Sequence, residues 1–108
     1  MRRVEILKVS ISNAGNLLVS PQGTEEERKS LFPHIYRMAT GTFWNEAEAS
    51  FSSPVPKQWS YADWLRDIAH CARSELGFDL YLSERTLWEN VAETDRVKML
   101  EALSMPDA

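Results

Sequence analysis

Between Ser60 and Gly77 the sequence spells out a helix together with both of its ends, and this stretch constrains the fold more than any other. Serine at position 60 is a residue type that accepts a hydrogen bond from the first free backbone N–H groups of a helix. Asp63 stands three residues on, as in a shortened capping box. Trp59 before the cap and Trp64 four residues into the helix have the spacing of a hydrophobic staple. At about 100° per residue, Tyr61, Trp64, Leu65, Ile68, Ala72 and Leu76 share one face. Gly77 follows, where a chain commonly leaves a helix in a left-handed conformation. The spacing predicts a helix over Tyr61–Glu75, whose apolar face needs a sheet or a second helix to cover it.

The material for that cover reads as short strands. In Arg3–Ile11, Leu7, Val9 and Ile11 alternate with Lys8 and Ser10, the period of a half-buried strand. Val4 and Ile6 fall on the opposite phase, which calls for a bulge or for cover on both faces. Asn13-Ala14-Gly15-Asn16 is a turn signal, and Leu17–Ser20 returns as a second strand ending at Pro21. His34–Trp44 is predicted as a further strand, with Tyr36, Met38, Thr40, Thr42 and Trp44 on one face and Gly41 at a bulge. A turn at Asn45–Ala47 leads to a returning strand over Glu48–Ser53, with Ala49 and Phe51 inward. Phe78–Leu82 alternates as a strand. Thr86–Val91 fits both a strand and a helical turn; pairing with Phe78–Leu82 through Ser83-Glu84-Arg85 favours the strand. Thr94–Ser104 closes the chain as a helix with Val97, Leu100 and Leu103 on its buried edge. Pro21–Ser30 is polar, and Thr24–Glu27 has capping-box spacing, so a short helical turn and an open loop both suit it.

The expected fold is therefore α+β: one domain over residues 1–108, an antiparallel sheet of five or six strands, a central helix packed on one face and a short C-terminal helix at an edge. At 108 residues, any division would leave pieces too small to bury a core. Sixteen acidic residues against twelve Lys and Arg give a net charge of −4, which argues against nucleic-acid binding. The single cysteine, Cys71, permits no internal disulfide. No segment approaches the roughly 18 apolar residues of a membrane span, and Met1–Lys8 lacks the apolar core of a signal peptide. A cytoplasmic protein with no membrane partner is expected.

Catalytic signals are thin. Asp63, Asp67, His70 and Ser74 lie along the polar ridge of the central helix, yet Asp67 and His70 alone make too few ligands for a metal, and a solvated ridge suffices to explain them. Cys71 lies at the shoulder of the apolar face and His70 points about 100° away from it, so a packed thiol is favoured over a nucleophile. Glu46, Glu48, Asp63, Asp67 and Asp79 supply carboxylates, with no apolar pocket marked out to raise a pKa. The four glycines are isolated, so there is no phosphate loop. No catalytic residue, metal or cofactor is expected, and the balance leans away from an enzyme.

Aromatic content is the stronger lead. Trp and Tyr pair a large apolar area with a polar tip, which suits ligand pockets and interfaces. The residues singled out for such a role are Tyr36, Arg37, Trp44, Trp59, Trp64 and Trp88.

Ile35-Tyr36-Arg37, Phe43-Trp44-Asn45-Glu46, Ser53-Pro54-Val55-Pro56, Trp59-Ser60-Tyr61-Ala62-Asp63-Trp64 and Thr86-Leu87-Trp88-Glu89-Asn90-Val91 together resemble small proteins of unknown function encoded on mobile integron gene cassettes of environmental bacteria. The resemblance spans about two thirds of the chain and rests on structural signals. It implies a compact α+β protein, often a homo-oligomer, sometimes with a small-molecule pocket; it carries over no functional residue. The expectation is a non-enzymatic binding module acting as a homodimer, with a small-molecule or protein partner. Bacterial immunity proteins share this size and acidity, so a toxin-neutralising acidic surface stays open, as does a small enzyme using a carboxylate or His70.

Overall fold

A computed structural model describes residues 2–37 and 41–103, the side chains of Tyr36 and Arg37 excepted. Its element order is β1 (Arg2–Ile11), β2 (Leu17–Pro21), α1 (Glu25–Ser30), a 3₁₀ helix (Phe32–Arg37), β3 (Phe43–Asn45), β4 (Ser50–Ser52), α2 (Tyr61–Cys71), a π-helical turn (Ala72–Leu76), β5 (Phe78–Tyr81), β6 (Leu87–Glu89) and α3 (Glu93–Leu103). The six strands form one sheet in the order β3-β4-β2-β1-β5, with β6 also on β1. It is mostly antiparallel, and the fold is α+β.

The first hairpin forms as expected, β1 against β2, with a register shift between Ile6 and Lys8. That shift resolves the conflicting phases of Val4/Ile6 and Val9/Ile11: the bulge lets both sets face the core. Across the sheet, Trp44, Phe51, Val19, Val9 and Trp88 then stand in one register row. This is the core face. Phe32, Ile35, Leu65, Ile68 and Phe78 close over it, all essentially inaccessible.

The central helix carries both predicted caps. Ser60 accepts from the Asp63 N–H at 3.2 Å, and the Asp63 carboxylate accepts from the Ser60 N–H at 3.0 Å. The helix runs on to Leu76, but its last turn widens to π geometry and ends at Gly77, φ 79°, whose N–H reaches the Ala72 carbonyl. The polar segment after β2 takes the helical option: Thr24 and Glu27 form a complete capping box on α1.

Four local expectations fail. His34–Trp44 is not a strand: Phe32–Arg37 is a 3₁₀ helix, and only Phe43–Asn45 pairs. Phe32 and Ile35, three residues apart, eclipse on one face of that helix and are both buried, so the true period was three and not two. Met38, Ala39 and Thr40, assigned to the same strand, lie outside the described residues. Ala49 does not face inward from a strand; it sits in the turn before β4 with φ 50°.

Third, β6 does not form a hairpin with β5. Both run parallel to β1, β5 along Arg2–Glu5 and β6 along Lys8–Ser10. A ten-residue β1 is long enough to hold both partners end to end on one edge. Finally, α3 buries Met99 and not Val97, which is 43% exposed, and besides meeting Trp88 of the outer strand β6 it packs on α2. No helix among the described residues is long and apolar enough to cross a membrane.

Candidate functional site

The aromatic residues split into two groups. Trp44 belongs to the core: its ring centroid lies 5.1 Å from those of Phe32 and of Phe51. Trp88 faces the same side of the sheet, and the Arg96 guanidinium of α3 lies over its ring at 6.0 Å, so its contacts bind α3 to the sheet. Tyr36 and Arg37 have their backbone in the 3₁₀ helix; their side chains lie outside what is described.

Trp59 and Trp64 do meet. The staple spacing brings their rings to 4.8 Å at an interplanar angle of 54°. Trp64 is buried in the core, whereas Trp59 is 43% exposed. The pair is a bridge with one ring inside the protein and one in solvent. Gly41 lets the chain pass close beneath it: with φ 121°, a Cβ there would stand 3.2 Å from the Trp64 ring and 3.0 Å from Pro54.

A groove lies on each side of Trp59. The first, about 490 Å³, is lined by Pro54, Val55, Lys57 and Gln58 together with both tryptophans. The second, about 440 Å³, is lined by Trp59, Asp63, Arg66, Asp67 and His70. The polar ridge of the helix is therefore one wall of a groove, and Ser74, a turn further on, is exposed and takes no part in it.

The chemistry of this wall is that of fixed charges. The Ser60 backbone N–H, and then its hydroxyl, hold the Asp63 carboxyl below the usual carboxylate range, and Arg66 lies 4.0 Å away. Asp67 accepts from the Thr42 hydroxyl at 3.2 Å and from the Cys71 thiol at 3.9 Å. Burial, reinforced by the charges of Asp67 and Glu75, pushes the Cys71 thiol up to about 11. At neutral pH it is a protonated, packed thiol and no nucleophile. Among the described residues no three His, Cys, Asp or Glu side chains are placed to hold a metal ion.

The model of one protein family, the integron cassette protein Hfx_Cass5, matches residues 4–86. This chain belongs to that family. A solved structure from the mobile metagenome of North West Arm Sewage Outfall, the integron cassette protein Hfx_Cass5, is 36% identical, covering 96% of this chain and 98% of that one with a TM-score of 0.45. No curated protein matches. The stretch matched by the family contains every residue that lines either Trp59 groove and leaves out β6 and α3.

One further surface is marked in the sequence only by serines. On the side of the sheet opposite the core, Phe43, Ser52, Leu18, Ser10 and Glu89 form one register row; Asn45 and Ser50 pair, as do Ser20, Lys8 and Leu87, and a 2.7 Å hydrogen bond between the Ser20 and Ser50 hydroxyls joins them as the next row. Four serines at alternate strand positions were the available clue.

Proposed function

We propose that this cassette protein is a cytoplasmic, non-enzymatic binding module that works as a homodimer, with Trp59 as the anchor of an aromatic-lined interface. The observation that carries the reading is a half-exposed Trp59 beside a groove floored by Trp64. A two-fold interface requires one patch to carry both the projecting group and the recess that receives it. Trp59 is the projecting group, and the groove of Pro54, Val55 and Trp64 is the recess. Tryptophan in such a place is the residue type that most often dominates binding energy. Charge supports the same pairing. Lys57 borders the apolar groove, and Asp63, Arg66 and Asp67 the polar one, so charges of both signs flank Trp59 and can pair across a two-fold axis.

The other readings draw less support. An enzyme would need a reactive group, and the protonated Cys71 thiol and the exposed His70 offer none poised for one. A toxin-neutralising acidic surface would need unpaired carboxylates on one patch. Among the described residues seven carboxylates are ion-paired instead, on β1, β5, β6, α1, α2 and α3.

Sedimentation equilibrium tests the proposal. The wild type at up to roughly 100 µM is expected at twice its 12.4 kDa chain mass, an ordinary range for a functional dimer. Trp59→Ser is expected to sediment as a monomer with an unchanged circular dichroism spectrum. A monomeric wild type, or a dimeric Trp59→Ser protein, contradicts it.

A further inference from the structure

We propose that the open face of the sheet is a second, independent site, built for a neutral polyhydroxylated ligand of the sugar or polyol class. The first outer register row sets a serine on each side of Leu18 and longer side chains at its two rims. Ser10 and Ser52 flank Leu18 at the floor; Phe43 and Glu48 stand on one side, Glu89 and Asn90 on the other. The result is a trough of about 480 Å³, within the range of small-molecule sites.

The floor holds a polar group prepared for a partner. Ser10 is only 7% exposed, and among the described residues its hydroxyl has no hydrogen bond. It is not sealed off from the trough, which it lines. A residue nine-tenths buried whose hydroxyl opens on the trough without a protein partner is a position at which a ligand atom can replace water in a bond of fixed direction.

The walls are fixed before any ligand arrives. Asn16 donates to the Ser53 carbonyl at 2.7 Å, Asn90 donates to the Ile11 carbonyl at 2.8 Å, and the Asn45 side chain accepts from the Glu48 N–H at 3.2 Å. Held in place, such amides and hydroxyls both donate and accept, which suits ligand hydroxyls that do the same. The charges set the class. Lys8 stands 3.9 Å from Glu89, and Glu48 adds a second carboxylate, so an anionic ligand meets net negative charge. Phe43, 42% exposed at one rim, offers a ring face of negative electrostatic potential to the C–H groups of a sugar ring.

The test is an amide-resolved NMR titration with glucose, galactose and maltose, and with gluconate as the anionic counterpart. At least one neutral sugar is expected to shift the Ser10, Ser52 and Phe43 amides in a saturable way, with gluconate weaker. Phe43→Ala and Ser10→Val, both folded by circular dichroism, are expected to weaken that sugar at least tenfold. No saturable shift with any of the three sugars overturns the proposal, as does equal binding of gluconate or undiminished binding by both variants. Trp59→Ser separates the two sites. Sugar binding that survives in a monomeric Trp59→Ser protein supports this site, whereas shifts confined to the Trp59 grooves overturn it.

Discussion

The Thr86 hydroxyl donates to the Ile6 carbonyl across 2.7 Å, and this bond marks the place where one edge of β1 changes partner. On one side of it Glu5 pairs with Tyr81 of β5; on the other Lys8 pairs with Leu87 of β6. The same Thr86 oxygen accepts from the Ser83 N–H at 3.0 Å. The Ser83 hydroxyl in turn donates to the buried Glu5 carboxylate, which also accepts from Arg85 at 3.0 Å. One side chain and its neighbours thus supply the hydrogen bonds that an uninterrupted strand would have made.

Thr86→Val keeps the shape and removes the hydroxyl. The Ile6 carbonyl loses a partner in a buried place and the Ser83 N–H loses one in a half-buried place, so the loss should be about 2 kcal/mol. Urea unfolding should show a lower midpoint with an unchanged slope. A loss within about 0.5 kcal/mol, the scatter of ordinary surface changes, would mean that the bond does not hold the edge.

At the start of α2, Ser60→Ala removes the hydroxyl that accepts from the Asp63 N–H. The expected cost is about 1 kcal/mol. Ser60→Asp, which keeps an acceptor and places a carboxylate at the helix N-terminus, should recover most of it. Thermal unfolding of the three proteins checks the order.

How much of this was legible in the sequence depended on where the deciding forces were local. The caps of α2, the Trp59–Trp64 staple and the first hairpin are set by residues within four or five positions of each other, and the spacing revealed them. The 3₁₀ helix at Phe32–Arg37 was hidden because a short run of mixed residues fits period two nearly as well as period three. The parallel seating of β6 was hidden for a different reason. It depends on Glu5, Ile6, Ser83 and Thr86, which lie some eighty residues apart in sequence. Two of the six residues singled out for the site followed the same rule: Trp59 and Trp64 meet, whereas Trp44 and Trp88 are drawn to the core row by strand register alone, and the side chains of Tyr36 and Arg37 lie outside what is described.

The C-terminal helix makes the same point in a form that can be measured. Its buried contact is Met99, fully inaccessible, and Val97 faces solvent. Met99→Ala should cost about 2–5 kcal/mol, and Val97→Ala should stay within roughly 0.5 kcal/mol. Chemical denaturation of both variants decides between this orientation and the reverse, in which the order of the two losses would invert.

Cys71 gives a pH dependence. Its thiol in the folded protein titrates at about 11, above the ordinary value of 9, because burial and the charges of Asp67 and Glu75 disfavour the thiolate. The folded state therefore holds this proton more tightly than the unfolded chain. The contribution is whole below about pH 9 and is lost as pH rises through about 11, amounting to roughly 2 kcal/mol. Tyr61 is raised as well, chiefly by burial, and acts in the same direction. Comparing wild type with Cys71→Ala cancels the Tyr61 part: the fall in stability between pH 9 and 11 should be shallower in the variant. Iodoacetamide at pH 8 should modify Cys71 slowly in the native protein and rapidly in denaturant.

The claim that Trp59 anchors a two-fold interface is tested most directly by following the four indole N–H signals in a ¹⁵N-correlated NMR dilution series. The account predicts that the Trp59 signal moves with protein concentration, joined by Val55 and Lys57 amides, while the core indoles of Trp44 and the sheet-bound Trp88 hold still. A Trp59 signal that stays fixed across the dilution would contradict it.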